Sequence, residues 1–114
     1  MLKKNYRLSD KRSFKKIWSK GLFLKGKFVI LKFVFLNREQ NSKFAITVSK
    51  KTAAKAIDRN KIKRQISHIV EKLIPSLKRN IEMNIIVKQI PSNFDELDME
   101  INNLFRQALI ITIT

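Results

Sequence analysis

Cysteine is absent from the 114 residues, which excludes disulfides, thiolate metal sites and a cysteine nucleophile. Histidine occurs once, at His68, so a histidine-rich metal site is excluded and a Ser-His-Asp arrangement has little to build on. On a helix this residue reads as an exposed position rather than a catalytic base. Glycine occurs only at Gly21 and Gly26, too few for a Gly-rich phosphate loop. The two prolines, Pro75 and Pro91, mark no linker, and there is no repeat or low-complexity segment. Among the nine acidic residues, Asp10, Asp58, Glu71 and Glu82 are scattered, and four more, Asp95, Glu96, Asp98 and Glu100, crowd where helix capping accounts for them. The longest apolar stretch, "FVILKFVFL", is broken by Lys32 and falls short of the ~20 residues of a membrane helix. The amino terminus lacks the apolar run of a secretory signal. The expectation is a soluble, cytoplasmic protein with no membrane partner, no catalytic residue of its own and no protein-held metal.

What is abundant is positive charge: 25 Lys and Arg against nine acids, a net +16 on a 13.4 kDa chain. That length, with 44% hydrophobic residues, suffices for one domain with one core, spanning residues 1–114. Such self-repulsion burdens a compact state unless it serves solubility or a polyanionic partner, and nucleic acid is the first candidate. An anionic membrane surface is the second, but no lysine cluster beside an apolar anchor is present to favour it. The charge is also segregated. Residues 1–27 hold ten basic residues against Asp10, and residues 50–64 hold seven against Asp58.

The periodicities predict the order α, β, β, α, β, α. A helix runs from a cap at Ser9 or Asp10 to Lys20, stopped by Gly21, with Phe14, Ile17 and Trp18 on one face. "KFVILKFVFLN" and "KFAITVSK" read as strands, and the polar loop between them suggests an antiparallel pair. From about Thr52 to Leu73 the period becomes helical, with Ile62, Ile66, Ile69, Val70 and Leu73 on one stripe and Pro75 ending it. "MNIIVKQI" is a third strand. The last helix starts near Ser92 or Asn93 and buries Leu97, Ile101, Leu104, Phe105 and Ala108. The fold class is α+β, an α-β-β-α-β-α sandwich with helices packed on a small, mostly antiparallel sheet.

In "AIDRNKIKRQ", a step of 100° per residue puts Arg59, Lys63, Ser67, Asn60 and Arg64 in an arc of about 140°. Arginine forks fit paired phosphate oxygens, lysine adds a point charge, and asparagine reaches a sugar hydroxyl or base edge. A basic helix face is often nothing more than a solvated surface. Here the total charge, and the missing i to i+4 glutamates, favour a binding surface. Phe14 and Trp18, an i, i+4 pair, read either as core or as a platform for unpaired bases.

With "VSKK" and then "RNKIKR", the chain resembles the protein subunit of bacterial ribonuclease P. The resemblance runs through "YRLSDKRSFKKIW", "KFVILKF", "AITVSKK", "NIIVKQI" and "LFRQAL", nearly the whole length. It implies the ribosomal protein S5 domain 2-like fold. It also implies that Arg59, Asn60, Lys61, Lys63 and Arg64 contact the catalytic RNA. The single-stranded 5′ leader of precursor tRNA would lie in a cleft with Phe14 and Trp18, edged by Ser49, Lys50 and Lys51. The reaction implied is Mg²⁺-dependent endonucleolytic cleavage that releases the mature tRNA 5′ end. The RNA would hold the Mg²⁺ and do the chemistry, with the protein a monomer within the ribonucleoprotein.

This chain departs from the family pattern in places. Lys61 stands where arginine is usual, Ser67 where a further arginine is common, and Leu31 where the first strand often has an aromatic. "TAAK" lacks the usual glycine, and Ala45 replaces another. Two other readings remain from the residues alone: a ribosome-associated RNA-binding protein without processing activity, and a free-standing nuclease, for which no carboxylate cluster is visible.

Overall fold

The structure is a computed structural model that describes residues 6–36, 41–78 and 80–108. Helix α1 spans Lys11–Lys20, and its N-cap is Asp10, whose carboxylate accepts from the Arg12 amide at 2.9 Å. It ends at Gly21, whose φ of −70° is open to any residue; the demand there is for space. A Cβ on Gly21 would collide with the carbonyl oxygen of Ile17, which accepts the Gly21 amide at 2.9 Å.

Four strands follow: β1 (Leu22–Lys25), β2 (Val29–Phe35), β3 (Lys43–Val48) and β4 (Ile81–Val87). Helix α2 (Ala56–Leu73) joins β3 to β4, and helix α3 (Phe94–Gln107) follows β4. The sheet order is β1-β2-β4-β3, with β1 and β4 antiparallel to β2, and β3 parallel to β4. The mostly antiparallel α+β class therefore holds, with two corrections to the element order read from sequence.

The first correction is β1. "LFLK" has no burial pattern to announce it, since only Leu24 is even half-buried. It becomes a strand because the turn at Gly26 folds it onto β2, opposite Phe33, Lys32, Leu31 and Ile30. The second concerns β2 and β3, which run in opposite directions but do not pair, because β4 lies between them. The α2 crossover returns the chain as a parallel neighbour of β3, and that places β4 at the centre of the sheet.

Strand alternation divides the side chains between two faces. On one face Val29, Leu31, Phe33, Phe44, Ile81, Met83, Ile85 and Val87 meet the apolar stripe of α2 and Leu97, Ile101, Leu104 and Phe105 of α3. Burial of each such large side chain contributes roughly 1.5–3 kcal/mol. Ala108, expected in this layer, packs at its margin and is partly exposed. On the other face, α1 covers only part of the sheet, where Leu8, Ile17 and Val34 enclose Phe14 and Ala45.

Helix α2 starts four residues later than its periodicity suggests. Residues 49–53 instead form a turn in which the Ser49 carbonyl accepts from the Thr52 and Ala53 amides, each at 3.1 Å. A 3₁₀ turn, Ile74–Ser76, carries Pro75 beyond its end.

Candidate nucleic-acid interface

The basic arc of α2 is split lengthwise by the sheet. Lys63 leans toward β3 and Arg59 toward the loop before the helix, both half-buried, while Asn60 and Arg64 stand exposed. Ser67, placed within the arc by the helical wheel, is 1% exposed and donates to the Lys63 carbonyl at 2.8 Å. It lies too deep to be a surface ligand. The wheel misplaced it because β3 packs against that side of the helix, a constraint that lies outside α2. Lys61 faces away from the arc and lines a groove with Asp58, Gln65 and residues 90–94.

Arg59 is not simply an outward charge. Its Nη1 donates to the carbonyls of Ala53 and Ala54, each at 2.8 Å, so part of its fork holds the loop that leads from Ser49 to α2. Ser49, Lys50 and Lys51 are exposed on that loop. The Ser49 and Thr52 hydroxyls lie 3.1 Å apart and help fix its course.

Lys63 and Ser67 form one wall of a hollow of about 280 Å³ whose floor is Ala45 and Thr47 of β3 and whose opposite wall includes Phe14 of α1. Phe14 is half-buried against Leu8, Ile17 and Val34, so it serves the small core and the hollow together. Trp18 resolves the other way. Although one turn from Phe14, it is 76% exposed and contributes almost nothing to the core.

The ammonium of Lys32 lies 4.0 Å from the centroid of the Trp18 ring, a cation–π contact that braces the indole above the uncovered sheet. Leu31, assigned to this cleft through the family pattern, is fully buried on the opposite face among the α2 and α3 side chains. A step of one residue along a strand reverses the face, so Lys32 occupies the cleft position. Its signal was already present in the alternation of "VILKFVF", where it is the one charged residue.

The uncovered part of this face carries Phe23, Lys25, Ile30, Lys32, Thr47, Asn84 and Ile86, with Thr47 donating to the Asn84 side-chain oxygen at 2.8 Å. Glu82 shares the face but lies under α1, where it accepts from the Ser13 hydroxyl at 2.7 Å. The result is a shallow trough with lysines, π faces and amide groups, continuous with the half-buried edge of the α2 arc. Unpaired bases stack on such rings while phosphates meet the lysines.

Among the described residues no three His, Asp or Glu come together. Glu82 and Glu100 are already engaged, by a hydroxyl and by backbone amides. No helix among the described residues is long and apolar enough to cross a membrane.

A family model described as Ribonuclease P matches residues 2–109. The "Ribonuclease P protein component" of a Pseudanabaena species is 30% identical over 113 residues, covering 97% of each chain. That of a Synechocystis species is 31% identical over 96% of this chain and 90% of the relative. Among solved structures, a Staphylococcus aureus RNase P protein mutant described as defective in mRNA degradation superposes with a TM-score of 0.84. It is 22% identical, over 95% of this chain and 92% of that one. The Thermotoga maritima RNase P protein gives 0.77 at 23% identity, over 89% and 96%. The chain belongs to the ribonuclease P protein family.

Proposed function

We propose that this protein, as the ribonuclease P subunit, binds the catalytic RNA through α2 and the single-stranded 5′ leader of precursor tRNA through the trough. Arg59, Asn60, Lys63 and Arg64 are the principal RNA contacts, with Lys61 reaching the RNA from the neighbouring groove. Phe14 and Trp18 stack leader bases, and Ser49, Lys50 and Lys51 edge the path. The observation that carries this reading is Trp18. A tryptophan left 76% exposed, braced by Lys32 over the open part of the sheet, suits a base far better than it suits a core.

The chain supplies affinity and alignment, and the cleavage chemistry belongs to the RNA. Mg²⁺ is held by RNA phosphates, whose charge the lysines and arginines help to offset, so the protein lowers the Mg²⁺ needed for a folded, substrate-bound complex. The protein works in the cytoplasm, as one copy within each ribonucleoprotein.

Reconstitution with a matching catalytic RNA and precursor tRNA at low Mg²⁺ tests this reading. Added protein is expected to restore release of the mature 5′ end. Neutralising ~6 phosphates gives a slope of roughly −4 to −5 for log K against log salt. Cosedimentation with ribosomes and no effect on processing would favour the ribosome-associated alternative. Cleavage by RNA-free protein would overturn the division of labour.

A further inference from the structure

We infer that Phe23 on β1 is a second base-stacking platform, so that the bound leader continues past Trp18 and across the sheet to its β1 edge. This rests on the leader reading of the trough and extends it to a residue outside the "SFKKIW" and "VSKK" segments. Phe23 is 65% exposed, and the β1–β2 register sets it directly opposite Lys32. Cross-strand partners share a face, so Phe23 and the lysine that braces Trp18 belong to one surface. One strand spacing, ~4.8 Å, separates the Phe23 and Lys32 backbones, so a single strand crossing this face can meet both side chains.

The surroundings select the occupant. Lys25, two residues on, points to the same face, and neither β1 nor β2 carries an acid. An exposed phenylalanine among lysines on an edge strand poorly suits a second +16 chain, whose charge would repel it. Single-stranded RNA offers a π face for the ring and phosphates for Lys25 and Lys32 in the same segment.

The rim is also held in place before any ligand arrives. Glu100 of α3 accepts three successive amides of the β1–β2 turn: Lys27 at 2.5 Å, Phe28 at 2.8 Å and Val29 at 3.0 Å. Lys88 donates to the Gly26 carbonyl at 3.1 Å, fixing the turn from β4 as well. A platform fixed in advance loses less freedom when a base binds.

The test measures affinity of the reconstituted holoenzyme for precursor tRNAs whose leaders are shortened one nucleotide at a time. Phe23→Ala is expected to leave leaderless and short-leader substrates unchanged and to weaken long-leader binding roughly tenfold, the scale of one base–aromatic stack. Trp18→Ala should show a similar loss beginning at shorter leaders. Phe23→Trp should restore binding, whereas Phe23→Leu, apolar but without a π face, should not. If Trp18→Ala is impaired while Phe23→Ala matches wild type at every length, this inference fails and the leader reading stands. If neither variant discriminates by leader length, both fail. Equal loss on leaderless tRNA, or rescue by leucine, assigns Phe23 to another partner and overturns the proposal.

Discussion

Arg59 donates from Nη1 to the carbonyl oxygen of Ala53 at 2.8 Å, tying the loop of Ser49, Lys50 and Lys51 to the helix that carries the basic arc. Its charge and its fork are therefore separable. Arg59→Lys keeps the charge and loses the bridge to Ala53 and Ala54. It is expected to cost about 1 kcal/mol in urea unfolding while leaving the salt slope of RNA binding unchanged. Arg59→Ala should show the same stability loss and a slope shallower by roughly 0.7–0.9. Identical slopes for all three proteins would mean that Arg59 meets no phosphate.

Glu100 and Gly26 form the second separable pair. A Cβ on Gly26 would lie 2.6 Å from the Glu100 carboxyl carbon, and the carboxylate holds three amides of the same turn. Glu100→Ala should lower stability by about 2 kcal/mol, because the part-buried Phe28 and Val29 amides lose their acceptor. Gly26→Ala should cost roughly 1–3 kcal/mol by overpacking. The double variant is expected to fall short of the sum, since removing the carboxylate clears the space the methyl needs. Strict additivity in chemical denaturation would refute the contact.

Leu31 and Lys32 are neighbours with opposite duties. Leu31→Ala removes a fully buried side chain and should destabilise by about 3 kcal/mol. Lys32→Ala should change stability by no more than about 0.5 kcal/mol and act instead on leader-dependent binding. The reverse pattern, read from thermal melts and binding to leader-bearing and leaderless tRNA, would place Leu31 in the cleft.

Trp18 is the cleaner probe of stacking than Phe14. Phe14→Ala should cost about 2 kcal/mol of stability as well as leader affinity, because the ring packs against Leu8, Ile17 and Val34. Trp18→Ala should leave the melting temperature nearly unchanged while lowering affinity for leader-bearing tRNA roughly tenfold. A large loss of stability in Trp18→Ala would show that the indole belongs to the core.

Much of this was legible wherever one element decided the outcome. The α2 stripe follows from helical spacing, and capping chemistry narrowed the α1 cap to Ser9 or Asp10 and the α3 start to Ser92 or Asn93, of which Asp10 and Asn93 are the caps. Legibility failed where two elements meet. The edge strand "LFLK" buries too little to leave a pattern and exists because β2 accepts it. Its turn is fixed by Glu100, 74 residues beyond Gly26 in the chain and far outside any local pattern window.

By itself, the sequence determined a basic, cysteine-free α+β domain with a basic arc on its central helix. Charge and local periodicity are properties of short segments, and they survive in any packing. The tertiary structure alone decided that β4 separates β2 from β3, that Ser67 is buried and that Lys32 faces Trp18. Each of these depends on which face meets which neighbour, and a one-residue shift in strand register exchanges the buried and open faces.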